Sequence, residues 1–91
     1  MADISVRFQP TPNPNAGKFT VNRPVLEGPA SKSFYSADQA ASEPVASALF
    51  SVAGVAELFM VDDFITVTKQ PDAAWDRLVP EVISAIERSM T

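Results

Sequence analysis

Apolar and polar residues alternate at the start of the chain. Ile4, Val6 and Phe8 fall on one parity, Asp3, Ser5 and Arg7 on the other, the period of a half-buried strand. Pro10, Pro12 and Pro14 then interrupt the pattern, because each lacks an amide donor and restrains the residue before it. The stretch from Gln9 to Gly17 is expected to be a stiff, extended loop. Lys18 to Asn22 predicts a second strand that Pro24 ends, Gly28 and Pro29 a turn, and Ser33-Phe34-Tyr35 a short third strand.

Helical spacing follows. Ser36 and Gln39 match a capping box. Ser42-Glu43-Pro44 opens a helix with proline in its first turn, where the missing donor is harmless. Val45, Ala48, Leu49 and Val52 carry its apolar side, and Gly54 is placed to end it. Val55–Val61 and Phe64–Lys69 are two apolar runs joined by Asp62-Asp63, a tight hairpin without the usual turn glycine. If Val61 pairs with Phe64, then Leu58, Met60, Ile65 and Val67 share one face, and Phe59, Val61, Phe64 and Thr66 the other. Asp72 is expected to cap a last helix in which Trp75, Leu78, Val79, Val82, Ile86 and Met90 form a buried stripe. Pro80 removes the hydrogen bond to residue 76 within it.

Three strands, a helix, a hairpin and a helix predict an α+β fold. It is a two-layer sandwich with an antiparallel sheet of about four or five strands and two main helices on one face. Ninety-one residues suit a single domain, 1–91.

Composition narrows the partners. With seven basic and eleven acidic residues the net charge is −4, which opposes binding to nucleic acid or an anionic membrane. Met1 to Arg7 lacks the basic start and apolar run of a secretory signal, and no stretch approaches the roughly 20 apolar residues that span a bilayer. With no disulfide-forming residues either, the expected location is cytoplasmic.

The chain has no cysteine and no histidine. Thiolate and imidazole are the donors that hold iron–sulfur clusters and structural zinc, so no cofactor is expected on this chain alone. The usual neutral-pH base and the thiolate nucleophile are missing too, and no enzymatic activity is expected. A hydrolytic enzyme would have to use a perturbed lysine or carboxylates, with Asp62, Asp63, Asp72 and Asp76 as the main candidates. Turn formation and the helix dipole account for these without catalysis.

Two features are candidates for recognition. The Thr11–Lys18 loop is stiffened by proline and offers Thr11, the amides of Asn13 and Asn15, the permissive Gly17 and the cation of Lys18. The alternative is that the asparagines satisfy local backbone groups and the prolines guard a sheet edge. Phe59 and Phe64, with Val61, form an apolar patch if their face is open. Covering by residues 9–17 or 24–32 would make them core, and partial covering is expected. Trp75 and Phe19 read as core anchors.

These residues resemble the N-terminal domain of Nfu/NifU-type iron–sulfur scaffold proteins. The resemblance rests on Gln9-Pro10-Thr11-Pro12-Asn13-Pro14-Asn15 with Lys18-Phe19, Pro24-Val25-Leu26, Pro44 with Leu49-Phe50, and Gly54-Val55. It ends with Asp63-Phe64-Ile65-Thr66-Val67-Thr68-Lys69 and Trp75. In that family a CxxC motif in a separate C-terminal domain bridges the cluster, and its ligands map onto nothing here. The resemblance implies the fold and an accessory role in cluster assembly or transfer. The expected partner is a protein such as an iron–sulfur scaffold, carrier or apo-acceptor, met through Thr11, Asn13, Asn15, Lys18, Phe59 and Phe64. The alternative is an adaptor or regulatory domain unrelated to iron.

Overall fold

A computed structural model of the protein describes residues 3–26 and 30–90. Strand β1 (Val6–Pro10) and strand β2 (Ala16–Val21) form a hairpin in which Phe8 stands opposite Phe19 and Pro10 opposite Gly17. Strand β3 (Ser31–Phe34) leads through helices α1 (Ala37–Ala40) and α2 (Pro44–Phe50) to the hairpin of β4 (Val55–Val61) and β5 (Phe64–Lys69). Helix α3 (Trp75–Ser89) follows. The sheet has five strands in the order β1-β2-β5-β4-β3, and every neighbouring pair is antiparallel. The α+β sandwich expected from the alternation is the fold that forms.

The β4–β5 register is the one the sequence predicts, with Val61 opposite Phe64. Asp62 supplies the left-handed conformation (φ 50°) in place of glycine, a position that a short polar side chain tolerates. The turn carbonyls are then used by the end of β2 and the chain that follows it. Val21 N–H donates to Asp63 O (2.7 Å), and Val25 N–H to Asp62 O (2.7 Å). Leu58, Met60, Ile65 and Val67 are buried with Phe19 in one cluster with Leu49 of α2 and Val82 and Ile86 of α3. Both main helices bury their apolar stripe by covering this one sheet face.

Several boundaries differ from expectation for local reasons. Pro10 belongs to β1, because β1 is an edge strand and the ladder tolerates a missing donor there. The irregular loop therefore shrinks to residues 11–15. Ser36 does accept from Gln39 N–H (3.3 Å), but the Gln39 side chain takes Tyr35 N–H (2.7 Å), one residue upstream of the usual box partner. Helix α2 ends at Phe50, with Ser51 as its cap. Gly54 (φ 102°) instead turns the chain into β4. Asp72 caps nothing: the N-cap of α3 is Ala74, without a side-chain hydrogen bond. The Gly28–Pro29 turn lies outside the described residues.

Candidate interaction surface

Residues 11–15 close the β1–β2 hairpin, and most of their hydrogen-bonding groups are taken up inside the chain. The Thr11 hydroxyl lies 3.0 Å from Asn13 O and 2.9 Å from Ala16 O, donating to one at a time, and accepts from Asn13 N–H (3.2 Å). Asn13 Oδ1 accepts from Asn15 N–H at 2.9 Å, the local turn that asparagine favours. Asn15 then holds β5: its carbonyl accepts from Lys69 N–H (2.8 Å) and its Oδ1 from Lys69 Nζ (3.0 Å). Of these three residues, Thr11 and Asn15 are half-buried and Asn13 alone is exposed.

The other side of the loop is fixed by Trp75, whose Nε1 donates to Pro14 O at 2.9 Å. Its ring lies 5.4 Å from Phe8 and 6.2 Å from Phe19, centroid to centroid, with Phe8 and Phe19 5.1 Å apart. Tilted rings at these distances attract beyond their buried area. Gly17 is buried beneath them. A Cβ there would stand 2.5 Å from Phe8 Cε1 and 3.1 Å from Trp75 Cη2. The close approach that Gly17 permits is thus to the chain's own aromatic rings.

Lys18, Phe59 and Phe64 meet elsewhere, on the sheet face opposite the helices. Strand alternation sends Gly17, Phe19 and Val21 inward, and Ala16, Lys18 and Thr20 outward. Across the sheet, Gln9 pairs with Lys18, Lys18 with Thr66, Thr66 with Phe59 and Phe59 with Ser33. The next row runs Arg7, Thr20, Phe64, Val61, Ser31. Lys18 Nζ sits 4.5 Å from the Phe64 ring centre, within cation–π range. The Phe59 and Phe64 ring centroids are 6.5 Å apart.

The expected partial covering holds for Val61 and Phe64, which are half-buried, while Phe59 remains open. The chain after β2 turns around the β4–β5 tip and sends Val25 and Leu26 into the helix-side core, while residues 31 and 32 join β3. Phe59 stays 38% exposed, and Phe59, Val61 and Phe64 all lie outside the core and the hydrophobic residues packed on it. Tyr35, just beyond β3, is 62% exposed.

Sequence reasoning brought together six residues that the fold divides between the loop and the face. It did not single out Arg7 or Lys69. Arg7 was legible from its parity opposite Ile4, Val6 and Phe8. Lys69 shares parity with Ile65 and Val67, which carries it into the interior, where it is 8% exposed.

Asp62, Asp63, Asp72 and Asp76 are all exposed, so they build no convergent carboxylate pocket. Among the described residues, no three or more histidine, cysteine or acidic side chains gather as a metal site.

Comparison with known proteins gives a consistent picture. The family described as "Scaffold protein Nfu/NifU N terminal" matches residues 6–91. NifU-like protein 5, mitochondrial, of Arabidopsis thaliana is 38% identical over 81 residues, covering 89% of this chain and 29% of that protein. The mitochondrial NFU1 iron-sulfur cluster scaffold homolog of Drosophila sechellia is 40% identical over 81 residues, covering 89% of this chain and 29% of that protein. The chain thus spans less than a third of the length of these relatives. Protein SAV1430 from Staphylococcus aureus shares the fold with a TM-score of 0.80 and 33% identity, covering 94% of this chain and 100% of that one. A NifU-like protein from Saccharomyces cerevisiae has a TM-score of 0.79 and 27% identity, covering 93% and 76%.

Proposed function

Because the chain belongs to the Nfu/NifU N-terminal family, we propose that it serves iron–sulfur cluster assembly as a docking module, without catalysis. It meets a scaffold, carrier or apo-acceptor protein through the open face of its sheet. One observation carries this reading: Phe59 and Phe64 pair on a sheet face that no described segment covers, away from the core. Apolar side chains gathered on open surface are a usual mark of a partner site.

The cluster is cargo here. The donors needed to hold it are absent from this chain, which has neither cysteine nor histidine. Oxygen donors from scattered, exposed carboxylates are a poor match for so soft a group. Cluster ligands therefore belong to the partner or to another part of the assembly, and this chain contributes position. The cytoplasm, expected from the sequence, is the proposed place of work. Cell fractionation with a tagged chain checks it.

The test is a photocrosslinker, p-benzoylphenylalanine, placed at Phe59 in the organism that makes the protein, with the crosslinked chains identified by mass spectrometry. Proteins of iron–sulfur assembly or cluster acceptors are the expected products. A product set made only of proteins unconnected with iron would defeat the reading and leave the adaptor alternative.

A further inference from the structure

Charge is unevenly divided between the two layers of this molecule. The helix layer carries Asp38, Glu43, Asp76, Glu81 and Glu87 against Arg77 and Arg88. Arg77 is already paired there with Glu81 at 2.7 Å, and Lys32 reaches from β3 to Glu43 at 3.6 Å. The open sheet face carries Arg7 and Lys18 against Glu57, and neither of its cations joins an ion pair among the described residues. A chain of net charge −4 therefore presents a positive flank beside the aromatic pair of exposed Phe59 and half-buried Phe64.

The geometry of the face limits what fits on it. Strands β2, β5 and β4 are paired on both sides, so strand addition is confined to the outer edges of β1 and β3. Neighbouring strands lie about 4.8 Å apart, so Phe59 and Val61 on β4 with Phe64 on β5 make an apolar strip two strands wide. That width suits one helix, about 10 Å across with its side chains. A helix laid along the strip has one flank over β2 and β1, where Lys18 and Arg7 stand, and the other over Ser31 and Ser33 of β3. Glu57 sits on β4 two residues before Phe59, at one end of the strip, and Asp62 and Asp63 lie in the turn at its other end, so the positive charge is confined to the β2–β1 flank.

We infer that the open face receives an amphipathic helix of a partner protein, whose apolar side covers Phe59, Val61 and Phe64 and whose carboxylates lie along the flank facing Lys18 and Arg7. The inference rests on the docking reading above and names the chemistry of the occupant. The acidic helix layer repels the same ligand, so charge also selects which side of the module is approached.

Two synthetic helical peptides with the same leucine-rich apolar face test it, one carrying glutamates on a single flank and the other lysines at those positions. Each is titrated into the isotopically labelled chain and followed by amide chemical shifts. The glutamate peptide is expected to move the amides of Lys18, Phe59, Phe64 and Thr66. It should bind about tenfold more tightly than the lysine peptide, with the difference falling as salt is raised. Lys18→Glu should remove that preference. If this variant loses its dispersed spectrum, Arg7→Glu serves in its place.

Equal affinity for the two peptides, failure of both to bind, or shifts confined to α2 and α3 would each overturn the inference. The peptides contain no iron–sulfur protein. A negative result here with cluster proteins still crosslinked at Phe59 defeats only the helix assignment, and the reverse pattern defeats only the assembly role.

Discussion

The indole of Trp75 is hydrogen-bonded to the carbonyl of Pro14 across 61 residues of sequence, joining the start of α3 to the tip of the β1–β2 hairpin. That bond and the ring contacts to Phe8 and Phe19 hold the proline loop from the helix side. Trp75→Phe keeps much of the ring packing and loses the donor. It should lower stability by about 1 kcal/mol, the net worth of one neutral hydrogen bond. Chemical denaturation followed by far-ultraviolet circular dichroism measures it.

Gly17→Ala strikes the same cluster from below. The new methyl group would meet a Phe8 ring already held between Phe19 and Trp75, so moving it disturbs all three rings. A loss of about 1–3 kcal/mol is expected, as for other overpacked interiors. A variant as stable as the parent would show that the rings shift freely.

Lys69 is buried with its ammonium on Asn15 Oδ1 (3.0 Å) and Gln70 O (3.4 Å), without a carboxylate partner among the described residues. Removing only the acceptor is the harmful change. Asn15→Ala should cost about 1–3 kcal/mol by leaving a buried charge poorly satisfied. Lys69→Met, which removes the charge and keeps the length, should be close to neutral or stabilising. Paired denaturation curves of the two variants check the order.

Phe59→Ser should separate function from stability. The ring is exposed and lies outside the core, so the change should alter stability by no more than about 1 kcal/mol. Co-purification with the partner identified by crosslinking should fall by about tenfold or more, as for a central aromatic contact. Unchanged co-purification would move the docking surface elsewhere.

Anaerobic incubation of the purified chain with ferrous iron and sulfide, followed by desalting, should leave no visible absorption of a bound cluster. Thiolate and imidazole donors are what retain a cluster through desalting, and this sequence contains neither. A retained chromophore in stoichiometric amount would require another mode of ligation.

Much of the fold was legible because it is written in short-range periodicity. The parity of Leu58, Met60, Ile65 and Val67 gave the buried side of the hairpin, and the Leu78–Val82–Ile86 stripe gave the inner side of α3. Errors fell where a local signal had a distant competitor. Pro10 read as a strand breaker because nothing nearby reveals that β1 is an edge. Asp72 read as a cap because a cap is judged from its own neighbours, whereas α3 begins where Trp75 meets Pro14.

The candidate site was less legible. Asn13 and Asn15 are amides beside prolines, equally suited to a partner or to the backbone, and only the folded chain shows their engagement with local groups and Lys69. Sequence alone determined the α+β class, the two faces of β1 and of the β4–β5 hairpin and the absence of thiolate and imidazole ligands, because these follow from residue identity and a period of two or 3.6. Tertiary structure decided that β2 lies beside β5, and hence that Lys18 stands over Phe64 on an uncovered face. Which strands become neighbours depends on closing long loops against a shared core, and alternation within a single strand carries no record of that choice.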